Sequence, residues 1–204
     1  MKIQTVPGTL LHTNNYVIGD DENVIVIEAS ANIRDIKAIV AGRKVHAIFL
    51  THGHWDHSQN IDYFCHELKA KVYLHKDAFY KITSQQPLFR HDKPVKANLK
   101  ETDCIFVEDE KNYDFGFIKL KVLFTPGHTN CSISIFAESL NAIFSGDTLF
   151  YQTYGRCDLP TSSAFAMKES LEKLFKLNGN LDVYPGHGYK TKIENEINLL
   201  EDFN

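Results

Sequence analysis

Three imidazoles and a carboxylate fall inside six positions of Thr51-His52-Gly53-His54-Trp55-Asp56-His57, directly after the apolar run 45–50. That cluster narrows the possible folds more than any other part of the chain, because side chains this polar must be gathered at the end of a strand that the rest of the molecule holds in place. At the chain's own His and Asp frequencies, His-x-His-x-Asp-His arises by accident in roughly two chains of a thousand, so a ligand set is the better reading. Imidazole nitrogens and carboxylate oxygens bind zinc or iron, and donors packed this closely serve a pair of ions better than one tetrahedral ion. Further donors are therefore expected elsewhere. Thr125-Pro126-Gly127-His128 and Tyr184-Pro185-Gly186-His187 supply them by one shared device: a strand, then Pro and Gly forcing a tight turn, then a histidine at the sheet edge. Asp147 follows Phe144-Ser145-Gly146 in the same manner. Either Pro-Gly-His alone would more often be an ordinary turn; it is the conjunction that points to metal.

Around these motifs the pattern is that of a layered α/β protein. Residues 24–27 are a continuous apolar run typical of a buried strand, within a predicted strand 23–27 that follows another at 15–18. Ile33, Ile36 and Val40 predict a helix capped by Ser30 or Asn32 and ended by a left-handed Gly42. Residues 45–50 return as a strand, 51–60 lead into a helix reaching about Leu68, and 71–74 form the next strand. Between Ser84 and Asp114, Pro87, Pro94 and Glu108-Asp109-Glu110 predict loops and a hairpin. Ile118, Leu120, Val122 and Phe124 line the buried face of an alternating strand, and 132–137 and 141–144 are two more. Ala164, Met167, Leu171, Leu174 and Phe175 form the stripe of an amphipathic helix, followed by a strand at 181–184 and a short helix at 193–200.

With 204 residues, 43% of them hydrophobic and 24% charged, the chain reads as one globular domain over 1–204. A chain of this length builds a core without disulfides or structural metal, so a metal signal points to chemistry. A net charge of −4 and the lack of a basic, aromatic-interleaved stretch argue against nucleic acid as a partner. No apolar run approaches the ~18 residues of a membrane span, and residues 1–7 carry no signal core, so no membrane partner and a cytoplasmic location are expected. Cys65, Cys104, Cys131 and Cys157 lie far apart without a Cys-x-x-Cys pair, which suits reduced thiols.

Taken together, His-x-His-x-Asp-His, Pro-Gly-His-Thr, Ser-Gly-Asp-Thr-Leu-Phe and Pro-Gly-His-Gly resemble the metallo-β-lactamase-fold hydrolases, in particular the short glyoxalase II-like branch, over nearly the whole chain. The resemblance implies a four-layer αββα sandwich, two mixed sheets face to face with helices outside and metals at one edge. It implies that His52, His54 and His128 hold one divalent ion and Asp56, His57 and His187 a second, with Asp147 bridging. Zinc is the expected metal, iron or manganese the alternatives. A hydroxide between the ions would be the nucleophile, with Asp56 both ligand and orienter. The implied substrate is a small acyl thioester of the S-2-hydroxyacylglutathione kind, whose thiolate leaves without a strong general acid.

The departures are informative. Full-length glyoxalase II has a further C-terminal helical region that helps bind glutathione, whereas here the chain ends seventeen residues after His187, so that domain is not expected. In place of that enzyme's Lys-x-Tyr element stands Tyr154-Gly155-Arg156-Cys157-Asp158-Leu159-Pro160, as in short bacterial relatives. At Ile27-Glu28-Ala29-Ser30 many relatives have Asp followed by Pro or Gly, and Glu28 is the candidate to replace that carboxylate. The runner-up reading is a persulfide dioxygenase whose Gly-Arg-Thr-Asp segment resembles residues 155–158, with one iron on His52, His128 and Asp147. A ribonuclease of the same fold is disfavoured by charge, and a secreted β-lactamase by the missing export signal and cysteine ligand. A member that binds metal without turnover is the non-enzymatic alternative. His12, His46, His66, His75 and His91 belong to no motif and are read as surface or structural. Trp55 is read as packing residue or cleft wall. Phe150, Tyr151, Tyr154 and Arg156 are candidate pocket residues, with Arg156 leaning toward a pair with Asp158. Cys131 and Cys157 are read as small buried thiols.

Overall fold

The computed structural model describes residues 1–84 and 96–203. Its first half runs β1 (Lys2–Pro7), β2 (Asn14–Gly19), β3 (Asn23–Ile27), α1 (Ile33–Val40), β4 (Lys44–Phe49), α2 (Trp55–Ser58), α3 (Ile61–Leu68), β5 (Val72–Leu74), α4 (Lys76–Thr83) and β6 (Cys104–Phe106). The strands form one sheet in that order, antiparallel from β1 to β3 and parallel from β3 to β6. The parallel part requires helical crossovers, and α1 and α3 provide two of them. The second half runs β7 (Asn112–Asp114), β8 (Lys119–Phe124), β9 (Ile133–Ala137), β10 (Ala142–Gly146), β11 (Leu149–Phe150), β12 (Thr153–Tyr154), α5 (Ala164–Phe175), β13 (Asp182–Pro185), β14 (Thr191–Lys192) and α6 (Ile193–Glu196). Its main sheet has the order β14-β13-β10-β9-β8-β7, while β11 and β12 make a separate small hairpin.

Three apolar clusters show how these pieces stack. Ile18, Ile25, Phe49, Leu120, Val122, Ile135 and Phe144 meet in one core between the two sheets. Val24, Val26, Ile36, Ile48, Phe64 and Phe79 join the outer face of the first sheet to α1, α3 and α4. Ile143, Met167, Leu171, Leu174, Val183 and Ile193 join the second sheet to α5 and α6. The result is a helix–sheet–sheet–helix sandwich, and it explains the uninterrupted apolar reading of β3: both faces of Val24 to Ile27 are covered, leaving each at 0% exposure.

Local sequence explains the element ends. Asn32 caps α1 by accepting from the backbone N–H of Arg34 at 2.9 Å. The left-handed residue that closes α1 is Ala41 (φ 52°) rather than Gly42, which follows with φ 82°. The region predicted as loops and a hairpin does contain the β7–β8 hairpin, but it also contributes β6 to the parallel sheet. Helix α4 has no marker in the sequence pattern, because its start is capped by His75, whose ring accepts from the N–H of Asp77, instead of by one of the usual small polar residues. Pro87, Pro94 and His91 lie outside the described residues. Cys65, Cys104, Cys131 and Cys157 are free thiols. Burial and nearby Asp103 push the Cys104 thiol up to about 12. Among the described residues no helix is long and apolar enough to cross a membrane.

Candidate metal centre

The strand ends named in the sequence meet at one edge of the sandwich. His52, His54, Asp56 and His57 follow β4, His128 follows β8, Asp147 follows β10 and His187 follows β13. In one cluster, ring nitrogens of His52 (Nε2) and His54 (Nδ1) stand 2.9 Å apart, and His128 Nε2 stands 2.8 Å from the same His54 nitrogen. In the adjoining cluster, His187 Nε2 lies 3.2 Å from both His57 Nε2 and Asp56 Oδ2. Asp147 belongs to both: Oδ2 is 3.4 Å from His128 Nε2 and 3.6 Å from His187 Nε2, while Oδ1 is 3.3 Å from His57 Nε2.

The surrounding hydrogen bonds fix which nitrogen of each ring faces inward. Carbonyl oxygens only accept, so His128 donates from Nδ1 to the Arg156 carbonyl at 3.0 Å and His187 donates from Nδ1 to the Leu11 carbonyl at 3.0 Å. Thr51 spends its only proton on Glu28 Oε1, so its oxygen accepts from His52 Nδ1 at 3.0 Å. Glu28 Oε1 also stands 3.3 Å from His57 Nδ1. His52, His128 and His187 thereby each present Nε2 to the centre, the arrangement by which outer partners prepare histidines for a metal, while Glu28 holds its charge beside His57. Tetrahedral ligation at about 2.0–2.1 Å separates two donors by roughly 3.3 Å, close to the spacings here. The donor set therefore fits divalent ions: His52, His54, His128 and Asp147 could hold one, and Asp56, His57 and His187 another.

Electrostatics agree. Burial and the neighbouring imidazoles hold His52 well below the ordinary imidazole value, burial with His128 pushes His54 down to about 3, and burial depresses His128 also. These rings are neutral at pH 7, the form in which an imidazole can donate to a metal. Burial opposes charge on His57 too, but Asp147, Glu28 and Asp56 outweigh it and hold that ring well above the ordinary value. Asp56 and Asp147 stay low despite burial, because His57 and the other imidazoles favour their ionised forms. The field around His57 Nε2 thus favours a positive charge, which a metal ion supplies.

Two glycines are required by close approach. An added Cβ at Gly186 would lie 2.2 Å from Asp147 Oδ1 and 2.8 Å from His57 Cε1. At Gly146, where φ is 52°, it would lie 2.5 Å from Thr51 Oγ1. Glu28 is 1% exposed and left-handed at φ 68°, a conformation uncommon outside glycine. It touches two candidate ligands at once, His57 directly and His52 through Thr51. Glu28→Gln should therefore weaken metal binding by about 10- to 100-fold, measured by competition with a chelator, with the fold retained.

Sequence reasoning did not single out the residues that hold the His187 turn. Asn14 donates from its side chain to the carbonyls of Pro185 (3.1 Å) and Gly188 (3.0 Å), and Tyr16 donates its hydroxyl to Pro185 O at 2.5 Å. Thr13 Oγ1 reaches Asp56 Oδ2 at 3.3 Å. The one available signal was the polar run Thr13-Asn14-Asn15 at the entrance of a buried strand. Of the pocket candidates, Phe150 faces the His187 ring at 6.2 Å, Tyr154 packs on Phe203, and Arg156 is engaged with Asp158 through two 2.6 Å bonds. Trp55 is half-buried at the start of α2, and its indole N–H is without a hydrogen-bond partner among the described residues. His46 is bonded to Asn23, and His12 and His66 are exposed. Cys131 is buried, Cys157 partly so.

Comparison with known proteins places this geometry. Residues 8–187 match the model of the metallo-beta-lactamase superfamily. A Streptococcus pyogenes protein named "probable metallo-hydrolase" is 31% identical, covering 97% of this chain and 88% of its own. The hydroxyacylglutathione hydrolase of Francisella philomiragia is 28% identical over 95% of this chain and 71% of that enzyme. Among solved structures, the BLEG-1 B3 metallo-beta-lactamase superposes with a TM-score of 0.88 at 26% identity, covering 97% of both chains. TTHA1623 in a di-iron-bound form superposes at 0.80 and 26% identity, covering 94% of this chain and 96% of that one.

Proposed function

The chain belongs to the metallo-β-lactamase superfamily, and from that premise we propose that it is a metallo-hydrolase cleaving a small acyl thioester, of the S-2-hydroxyacylglutathione kind, at a centre of two divalent ions. One observation carries the reading: Asp147 is shared between two adjoining donor clusters, each with enough ligands for an ion of its own. Bound there, two divalent ions would bring a water's pKa toward neutrality, polarise a carbonyl and stabilise a departing thiolate.

The chain's own residues do the rest. Thr51, Arg156 O and Leu11 O set the ring orientations of His52, His128 and His187, and Glu28 places its carboxylate beside His57, so these histidines are arranged in advance to act as ligands. His187 and Asp56 have side chains 27% and 14% exposed, against 0–8% for His52, His57, His128 and Asp147, so substrate approaches over that pair. Phe150 walls this entrance beside His187. Asp56, held ionised, is placed to accept a hydrogen bond from an attacking water and so to orient it. Arg156, already committed to Asp158 in an exposed pair, acts on the loop that carries its carbonyl to His128 rather than on substrate.

Support for the thioester comes from the hydroxyacylglutathione hydrolase relative, and support for a metal pair from the di-iron-bound neighbour. Four free, separated cysteines suit work in a reducing cytoplasm. The test compares metal-free and metal-reconstituted protein on S-D-lactoylglutathione while recording oxygen uptake with glutathione persulfide. Reconstituted protein should release thiol at least ~10³-fold faster. Equal rates would end the proposal, and oxygen uptake by protein holding one iron would replace it with the dioxygenase.

A further inference from the structure

We propose that the turn 8–13 builds the second ion site, with Thr13 as its positioning residue, so that the two ions are held unequally and the second can be lost alone. The inference rests on the dinuclear reading above. Both contacts of this turn with the centre fall on the same cluster: the Leu11 carbonyl accepts from His187 Nδ1 at 3.0 Å, and Thr13 Oγ1 lies 3.3 Å from Asp56 Oδ2. The other cluster is oriented from elsewhere, His52 by Thr51 and His128 by the Arg156 carbonyl.

The turn is also conformationally costly. Leu11 and His12 are successive non-glycine residues at φ 49° and 53°, a left-handed pair that persists only where its surroundings impose it. Here they do so by backbone bonds: Gly8 N–H to Thr13 O at 2.6 Å, Thr9 N–H to Ser30 O at 3.1 Å and Asn14 N–H to Gly186 O at 2.7 Å. The last of these ties the turn to the loop bearing His187. Thr13 is fully buried, while Leu11 is 71% exposed, so the turn is anchored at Thr13 and reaches solvent at its middle. The single proton of the Thr13 hydroxyl has two acceptors in reach, Asp56 Oδ2 at 3.3 Å and the Leu10 carbonyl at 3.4 Å; the charged carboxylate is the stronger, and the bond to it restrains Asp56 from rotating away from His187. Thr13→Val keeps the side-chain shape and removes that proton.

Metal-free wild type, Thr13→Val and Thr13→Ser are titrated with Zn²⁺ by calorimetry, and bound zinc is counted after dialysis against a weak chelator. Wild type should bind two ions in distinguishable steps. Thr13→Val should keep the first step unchanged and weaken the second by roughly tenfold or more, and Thr13→Ser should restore it. Two ions of equal affinity in the wild type would overturn the proposal whether or not the variants fold. So would a Thr13→Val protein that binds both ions within twofold of wild type, or that loses both together. A wild type that saturates at one ion removes the dinuclear reading and this inference at once; normal binding by Thr13→Val removes the inference alone.

Discussion

Asp147→Asn is expected to lower kcat by about 10³-fold or more and to leave the purified protein short of metal in both positions. Asp147 is 7% exposed and approaches ring nitrogens of both clusters, with His128 and His187 near Oδ2 and His57 near Oδ1. Asparagine matches its size, but it removes one negative charge from a site dominated by imidazoles. It also places an amide N–H, with its positive end outward, where an ion would sit. The loss therefore falls on both ions at once, unlike the selective effect expected at Thr13. Elemental analysis and single-substrate kinetics check it together. Two retained ions and a rate within tenfold of wild type would show that Asp147 is not the shared group.

Gly186→Ala tests whether the second Pro-Gly-His turn is as tightly built as its contacts indicate. A methyl group there meets Asp147 Oδ1 at 2.2 Å, and the backbone cannot easily retreat. Gly186 N–H is bonded to Gly146 O at 2.8 Å, and Gly186 O accepts from Asn14 N–H at 2.7 Å. Overpacking of this kind costs about 3 kcal/mol. In a domain of this size, that corresponds to a fall in Tm of roughly 6–12 °C. Because the clash is with a ligand carboxylate, metal content should drop as well, which an ordinary surface Gly→Ala change would not cause. Calorimetric melting of the metal-free protein separates the packing effect from the metal effect, and an unchanged Tm would show that the turn yields.

Much of this architecture is legible in the chain because the strongest signals are local. The apolar run of β3, the alternation of β8 and the helical stripe of α5 each report burial by the neighbouring layer, and each ligand motif stands at a strand end. What is not legible depends on partners distant in sequence. Strand β6 is only three residues, Cys104-Ile105-Phe106, and exists because β5 offers it a parallel edge. Strand β1 is half-exposed and ends in Pro7, so its composition does not set it apart from a loop. Asn14 acquires its part from carbonyls 171 and 174 positions away, and Glu28 acquires its part from a left-handed backbone that no local pattern announces. The candidate donors are written in the sequence; their orientation is a property of the assembled layers.

The candidate donors come from both sheets: His52, His54, Asp56 and His57 from the end of β4 in the first, and His128, Asp147 and His187 from the ends of β8, β10 and β13 in the second. Metal bound at this edge would therefore be a clasp across the seam between the two sheets, added to the apolar core they share. An unfolded or undocked chain cannot present this set, so binding and docking become one linked equilibrium. At free metal a hundred times the dissociation constant, each site so occupied would add about 2.7 kcal/mol to the closed form. On the proposed reading, the resistance of the sandwich to opening would be set partly by how much metal its surroundings contain, and scarcity of metal would both idle the centre and loosen the fold that carries it.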